Sequence, residues 1–133
     1  MIGLDTNVVV RYLAQDDRTQ SAAATRVLER ELTPEAPGYI CLVTLAEVVW
    51  VMTSLYGADR SAVARAVEGL VTAAQLRVQN AEAVWVALQD YRDSTADFSD
   101  ALIATLCKSA GCEHTVTFDR AAAARHPGFA LLK

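Results

Sequence analysis

The sequence predicts an α/β fold with a largely parallel sheet. Short apolar runs bounded by turn residues alternate with longer stretches of helical periodicity, which is the pattern of repeated β-α-β units. The chain has 133 residues, which suits a single domain over residues 1–133, and no internal repeat is visible. Hydrophobic residues make up 53% of the chain and charged residues 21%, so the composition is that of a globular protein.

Three strands and four helices are predicted in the first part of the chain. Apolar runs predict strands at Ile2–Leu4, Gly38–Val43 and Leu76–Val78. Capping residues and periodicity predict four helices. The first covers Val8–Ala14 behind the caps Thr6 and Asn7, and the second runs from Asp16, Asp17 or Thr19 to about Leu32. The third runs from Thr44 to about Tyr56 and the fourth from Asp59 to about Thr72. Pro34 and Pro37 close the second helix because proline disfavours helical backbone before it.

The second part of the chain is predicted to begin with two long helices. The first starts at the cap Asn80 and continues through Tyr91, and the second starts near Asp97–Asp100 and continues to Gly111. A strand follows at His114–Phe118, then a turn or two of helix at Ala121–Arg125 and an edge strand at Phe129–Leu132.

Charge, cysteine and hydropathy exclude several classes of protein. The net charge of −4 does not indicate a basic surface for nucleic acid. Three cysteines without a CxxC pair and two histidines predict reduced, mostly buried thiols and no structural zinc. The amino terminus lacks the basic segment of a signal peptide, and Glu47 interrupts the apolar stretch 36–58, so we expect a cytoplasmic protein without a membrane span.

Four acids occupy positions where packing alone does not need a charge. Asp5 follows Ile2-Gly3-Leu4, Glu47 interrupts an apolar helix, Asp100 precedes Ala-Leu-Ile-Ala, and Asp119 follows Val116-Thr117-Phe118. In a parallel α/β sheet the carboxyl ends of strands and the amino ends of the following helices share one edge, where ligands bind. The sequence therefore predicts that the four acids converge at that edge.

Converging carboxylates repel one another unless a cation is present. A hard divalent ion such as Mg²⁺ or Mn²⁺ prefers oxygen ligands and leaves positions for water and phosphate oxygens. Such ions support phosphodiester hydrolysis by activating water and neutralising charge on the attacking and leaving oxygens. The acid set thus predicts a metal-dependent hydrolase, with no histidine needed as a base.

Each acid also has a purely structural interpretation. Glu47 has the spacing of a capping-box partner for Thr44, and Asp97 with Asp100 has that of a helix cap and its first-turn acid. Asp119 could belong only to a turn after a strand, and Asp5 only to a helix entry. For Asp97 the cap is the favoured interpretation.

Taken together, four motifs resemble the PIN-domain nucleases, and their order, spacing and total length resemble the VapC-type toxins of toxin–antitoxin pairs. The motifs are Leu4-Asp5-Thr6-Asn7, Thr44-Leu45-Ala46-Glu47, Asp97-Phe98-Ser99-Asp100-Ala101-Leu102-Ile103-Ala104 and Val116-Thr117-Phe118-Asp119. The resemblance covers essentially the whole chain and implies a single-domain, three-layer α/β/α sandwich with a mainly parallel central sheet of four or five strands.

The resemblance also implies an activity and partners. It implies an Mg²⁺- or Mn²⁺-dependent endoribonuclease, commonly homodimeric, which a small antitoxin protein silences. The implied catalytic and metal-binding carboxylates are Asp5, Glu47, Asp100 and Asp119, with Asp97 as a ligand or a neighbouring group and Thr6, Asn7 and Thr117 as supporting polar residues.

Three arginines are candidates for contacting an RNA substrate. Arg11 lies in the helix after Asp5, Arg18 in the following loop and Arg120 beside Asp119. Trp50 and Trp85 have helical spacing and are predicted to be core or subunit contacts rather than platforms for bases.

Two other functional classes compete with the ribonuclease. A phosphotransfer domain would need an Asp-x-Asp pair, which Asp5-Thr6-Asn7 lacks. A non-catalytic RNA-binding or receiver-like module, with acids that hold a structural divalent cation, stays open. For a receiver, however, the segment Cys41-Leu42-Val43-Thr44 lacks the phospho-accepting aspartate.

Overall fold

The predicted α/β class is confirmed. A computed structural model describes residues 1–133 as two compact units, Met1–Ala81 and Glu82–Lys133. Each unit contains helices and a sheet whose strands all pair in parallel. Met1–Ala81 is called unit 1 and Glu82–Lys133 unit 2.

Unit 1 is built on a three-stranded parallel sheet in the order β1-β2-β3. The strands are β1 (Ile2–Gly3), β2 (Gly38–Ile40) and β3 (Leu76–Val78). Gly38 pairs with Ile2 on one side and Leu76 on the other. A Cβ at this glycine would lie 2.7 Å from Leu32 Cδ1 and 3.0 Å from Leu4 Cδ1, so a residue without a side chain lets the core close against the middle strand.

Helical crossovers connect these strands, as parallel pairing requires. They are α1 (Thr6–Ala14), α2 (Arg18–Arg26), a π-helical turn (Val27–Glu31), α3 (Leu42–Ser54) and α4 (Arg60–Thr72). α1 packs against both α2 and α3. The buried side chains include Val9, Leu28, Ile40, Leu45 and Val48, so the helices close over the sheet through aliphatic contacts.

Unit 2 contains a two-stranded parallel sheet and two longer helices. After the boundary residue Ala81, at which α5 (Ala81–Asp93) begins, come α6 (Phe98–Ser109), β4 (Thr115–Thr117), α7 (Arg120–Arg125) and β5 (Phe129–Leu131). Tyr91 and Phe98 join α5 to α6 by an edge-to-face ring contact at 5.9 Å. The short helix α7 is the crossover between the two strands and packs on both.

The beginning of α3 differs from the prediction. β2 ends at Ile40 instead of Val43, and α3 begins at Leu42, whose backbone N–H donates to Gln79 Oε1 at 2.9 Å. Thr44 therefore lies inside the first turn and is not the N-cap. The predicted capping box with Glu47 is wrong, because a side chain at the end of β3 supplies the cap instead.

Other local predictions also differ from the structure. α1 begins at Thr6, with Asp5 as its N-cap, instead of at Val8. Trp50 is 60% exposed and Trp85 40% exposed, so neither is a core residue of this chain. The three cysteines are free thiols as predicted, but Cys112 is exposed and the other two are half-exposed. None of the helices has both the length and the apolar character needed to span a membrane.

A buried histidine stabilises unit 2, and the sequence analysis did not identify it. His126 is 8% exposed, and its Nε2 lies 2.9 Å from Asp90 Oδ2 on α5. Its Nδ1 accepts a hydrogen bond from the Gly128 backbone N–H at 2.9 Å, so Nε2 carries the proton that is donated to the carboxylate. Because both ring nitrogens are engaged, the histidine ties α5 to the segment before β5 and is not available as a base.

We expect Asp90→Ala to lower the free energy of unfolding by about 1–3 kcal/mol, because it leaves a buried donor of His126 without a partner. Asp90→Asn retains an acceptor oxygen and should cost less. Asp93→Ala, on the exposed side of the same helix, is the matched control and should change stability by less than about 0.5 kcal/mol. Urea unfolding of the three variants measures this, and equal losses in Asp90→Ala and Asp93→Ala would contradict the structural role.

Candidate active site

Two of the predicted acids, Asp5 and Glu47, are linked in unit 1 by a threonine. Asp5 is the N-cap of α1, and its Oδ1 accepts a hydrogen bond from the Thr6 backbone N–H at 2.8 Å. The Thr6 hydroxyl donates to Glu47 Oε2 at 2.8 Å. Glu47 projects from the second turn of α3 and is exposed. One residue thus joins the amino end of α1 to the acid of α3.

A groove of about 340 Å³ lies over these residues in unit 1. The residues Asp5, Thr6, Asn7 and Glu47 line the groove together with Val10, Arg11, Val51, Leu55 and Tyr56. Asn7 is exposed. The structure therefore brings the first and second predicted acids, and two of the three predicted supporting residues, to one surface depression.

The remaining acids lie in unit 2. Asp97 is the N-cap of α6, and its Oδ1 accepts from the Ser99 backbone N–H at 3.0 Å. Asp100 lies in the first turn of the same helix and is half-buried. As the sequence predicts, it lies at the beginning of a helix that follows another helix, whereas Asp5 and Asp119 follow strands.

Asp119 follows β4 and caps α7. Its Oδ1 accepts hydrogen bonds from the backbone N–H groups of Ala121 at 2.9 Å and Ala122 at 3.1 Å. The hydroxyl of Thr117 accepts from the Asp119 backbone N–H at 3.0 Å. Thr117, one of the predicted supporting residues, therefore holds the backbone of Asp119 in place.

The environment of Asp100 favours its protonated form. Burial raises the pKa of this carboxyl above its ordinary value, and the negative charges of Asp97 and Asp119 raise it further, while His126 lowers it. Asp97 and Asp119 therefore disfavour the charged form of Asp100. A bound cation would relieve this repulsion.

The structural interpretation of these aspartates is correct, and it is compatible with ligand binding. Asp5, Asp97 and Asp119 each cap a helix, and each accepts those hydrogen bonds through Oδ1 alone. The second oxygen of each carboxylate makes no hydrogen bond within the protein. A capping aspartate thus retains one oxygen for a ligand.

The donor set suits a hard divalent cation because every candidate ligand is a carboxylate oxygen. As the side chains stand, no group of three or more His, Cys, Asp or Glu residues could hold a metal ion. Asp5 and Glu47 belong to unit 1, and Asp97, Asp100 and Asp119 belong to unit 2.

The predicted RNA-contacting arginines differ in how freely their guanidinium groups can bind a ligand. Arg18 and Arg120 are exposed first residues of α2 and α7. Arg11 is instead held in place: its Nε donates to Gln20 at 2.7 Å, and its Nη1 lies 3.3 Å from Asp16 Oδ1. The sequence signal for Arg11 did not reveal this network.

Tyr56 completes the network at the far end of the groove. Its hydroxyl donates to Asp16 Oδ2 at 2.5 Å and accepts from Arg11 Nη1 at 3.0 Å. The hydrogen bond to the carboxylate raises the pKa of Tyr56 and lowers that of Asp16. Tyr56 and Asp16 are 40 positions apart, so no local sequence pattern could have paired them.

These shifts predict the pH dependence of stability. The lowered pKa of Asp16 means that its contribution is present above the usual carboxyl pKa of about 4 and is lost as the pH falls through the lowered value. The raised pKa of Tyr56 means that its contribution is present below about pH 10 and is lost as the pH rises through the raised value. The stability difference between wild type and Asp16→Ala should therefore be constant from about pH 5 to 9 and shrink on both sides.

Urea unfolding of the wild type and of Asp16→Ala across the pH range measures that difference. A difference between wild type and Asp16→Ala that is as large near pH 3 as at neutral pH would contradict the assignment.

The chain is similar to a known protein family. The PIN domain model matches residues 2–127, which is almost the whole chain. A search of the curated proteins found no match. PIN domains are typically Mg²⁺-dependent nucleases that act on RNA or DNA. The acid-bearing helix ends described above lie within the matched range, and the chain belongs to the PIN domain family.

Proposed function

We propose that this protein is a metal-dependent endoribonuclease that hydrolyses RNA phosphodiester bonds and acts as the toxin of a toxin–antitoxin pair. The observation that carries the proposal is that Asp100 is half-buried and that the negative charges of Asp97 and Asp119 add to burial in raising its pKa. Such an arrangement costs free energy in a protein that never binds a cation. In a protein that binds a cation, the positive charge offsets this cost.

The proposed ligands for Mg²⁺ or Mn²⁺ are Asp5, Glu47, Asp100 and Asp119. Asp97 caps α6 and has a second oxygen available, so it serves as a cap, a ligand or both. When bound, the cation activates water and stabilises charge on the phosphate oxygens.

The chain's own residues position these acids. Thr6 orients the Glu47 carboxylate by donating a hydrogen bond to Oε2, which leaves Oε1 free. Thr117 holds the Asp119 backbone, and the amide groups at the start of α7 hold its Oδ1. Fixed carboxylates need less reorganisation when substrate charge develops.

The RNA is expected to be held by local contacts, because the net charge of the chain is −4. Arg18 and Arg120 are exposed and form no ion pair, so they are the stronger candidates for phosphate contacts. Arg11 lines the groove, but its charge is offset by Asp16.

A homodimer and a small antitoxin are the proposed protein partners, in the cytoplasm. The support is apolar surface on α3 and beyond its end, where Val43 and Leu55 are exposed in addition to Trp50. Exposed apolar residues of this size are typical of protein interfaces. Inspection of the neighbouring reading frame would test for an antitoxin gene.

A non-catalytic RNA-binding module with a structural cation is the competing function. The capping roles of Asp5, Asp97 and Asp119 favour it, because a cap is a sufficient structural reason for each aspartate. Cleavage and metal binding separate the two functions.

We expect purified, partner-free protein to cut a labelled structured-RNA pool with Mn²⁺ or Mg²⁺ and not with EDTA. Asp5→Asn and Glu47→Gln keep an acceptor oxygen for the local hydrogen bonds but remove charge, so each should reduce cleavage by at least about a hundredfold. Asp93→Asn is the control and should cut like the wild type. Cutting that survives in both site variants would mean contamination, and binding without cutting would support the non-catalytic module.

Metal binding should also raise the free energy of unfolding of the wild type. Asp100→Asn removes repulsion, so its metal-free melting temperature should equal or exceed that of the wild type. At a Mn²⁺ concentration of about 100 times Kd the wild type should gain about 2.7 kcal/mol, and Asp100→Asn and Asp119→Asn should gain less.

Asp97→Ala should lose about 0.5–2 kcal/mol without metal if it acts as the cap of α6. Thermal unfolding with and without Mn²⁺ measures all of these effects. Equal metal-induced gains in the wild type and both Asn variants would count against the site.

A further inference from the structure

The groove in unit 1 extends beyond the acids toward the end of α3. Asp5 and Glu47 line it together with Arg11, which lies farther along α1, and with Leu55 and Tyr56, which follow the end of α3. Glu47 lies in α3 seven positions before the last residue of that helix, Ser54, which is about 10 Å at a rise of 1.5 Å per helical residue, and Tyr56 follows two positions later. The groove therefore continues away from the position where a bond would be cut.

The groove is small. Its volume of about 340 Å³ is at the lower end of ligand pockets. It suits one planar group and its sugar, and not a folded duplex. An occupant of this groove would be a single nucleotide next to the bond that is cut.

Tyr56 is held rigidly although it is 39% exposed. Its hydroxyl is engaged at both its donor and one acceptor position, by Asp16 and Arg11. The hydroxyl proton is therefore not available to a ligand, and the ring carbons are the other part of this groove-lining side chain that a ligand could contact. A ring fixed in advance loses little conformational freedom when another ring stacks on it.

Charge argues against a phosphate at this end of the groove. The guanidinium of Arg11 pairs with Asp16, and its Nε is bound to Gln20. Two of its nitrogens are therefore already engaged, and its positive charge is offset. An uncharged aromatic group suits this surface better than an anion does.

We propose that Tyr56 stacks on the base of one nucleotide adjacent to the bond cut in single-stranded RNA, with Arg11 and Asp16 as positioning residues that hold its ring. The proposal rests on the ribonuclease function proposed above. Base–aromatic stacking tolerates every base, so Tyr56 would contribute affinity and position rather than sequence choice.

The test compares kcat/KM for RNA oligonucleotides that span a site cut by the wild type. One set is intact, and another carries an abasic nucleotide at each position flanking the cut. Tyr56→Ala removes the ring, Tyr56→Phe keeps the ring and removes the hydroxyl, and Trp85→Ala is a matched control that removes a ring of similar exposure in unit 2. Urea unfolding at the assay temperature verifies that each variant is folded.

We expect Tyr56→Ala to lose about tenfold or more on intact RNA, which is the size of one lost stack. The wild type should lose a similar factor at one abasic position, and Tyr56→Ala should lose nothing more there. Tyr56→Phe should lose less than Tyr56→Ala, and Trp85→Ala should lose nothing.

Other outcomes overturn the proposal in distinguishable ways. If the wild type cuts RNA and Tyr56→Ala cuts it equally well, stacking is refuted and the ribonuclease function stands. The same holds if Tyr56→Ala loses the full abasic factor in addition to its own loss at every abasic position. Equal losses in Tyr56→Phe and Tyr56→Ala would mean that the hydroxyl network only supports the fold. Failure of the wild type to cut any RNA with Mn²⁺ or Mg²⁺ would remove both proposals.

Discussion

The free backbone N–H groups at helix amino termini are the constraint on which the candidate site depends. A helix leaves its first amides without intrahelical partners, and carboxylates satisfy them well. In this chain Asp5, Asp97 and Asp119 do so for α1, α6 and α7. The same requirement that begins these helices therefore places acidic side chains at their amino ends, and for α1 and α7 these ends directly follow parallel strands, at the kind of edge where ligands bind. Capping fixes one oxygen of each carboxylate and leaves the other available.

Tertiary contacts then refine the positions of the acids. Gln79, at the end of β3, caps α3 and so moves the helix start to Leu42. With that start, Glu47 lies on the second turn and meets the hydroxyl of Thr6. The local sequence Thr44-Leu45-Ala46-Glu47 is equally compatible with a capping box, and only a side chain 37 positions away from Leu42 decides between the two arrangements.

Asp100 is the acid of unit 2 whose ionisation the structure disfavours. Asp100 is half-buried near two other carboxylates, and its raised pKa reports an environment unfavourable to its charged form. A raised carboxyl pKa of this origin is common at functional sites, although ion pairs that serve only structure also shift pKa values.

The sequence by itself determined the α/β class, the strands at Gly38 and Leu76, the helix from Asp59 to Thr72 and the identity of the candidate acids. These features follow from apolar periodicity and from capping residues, which act over a few positions. Only the tertiary structure decided the start of α3, the exposure of Trp50, the His126–Asp90 pair and the network around Tyr56. Each of these depends on side chains that lie far apart in the chain and meet only after folding, so no local pattern encodes them.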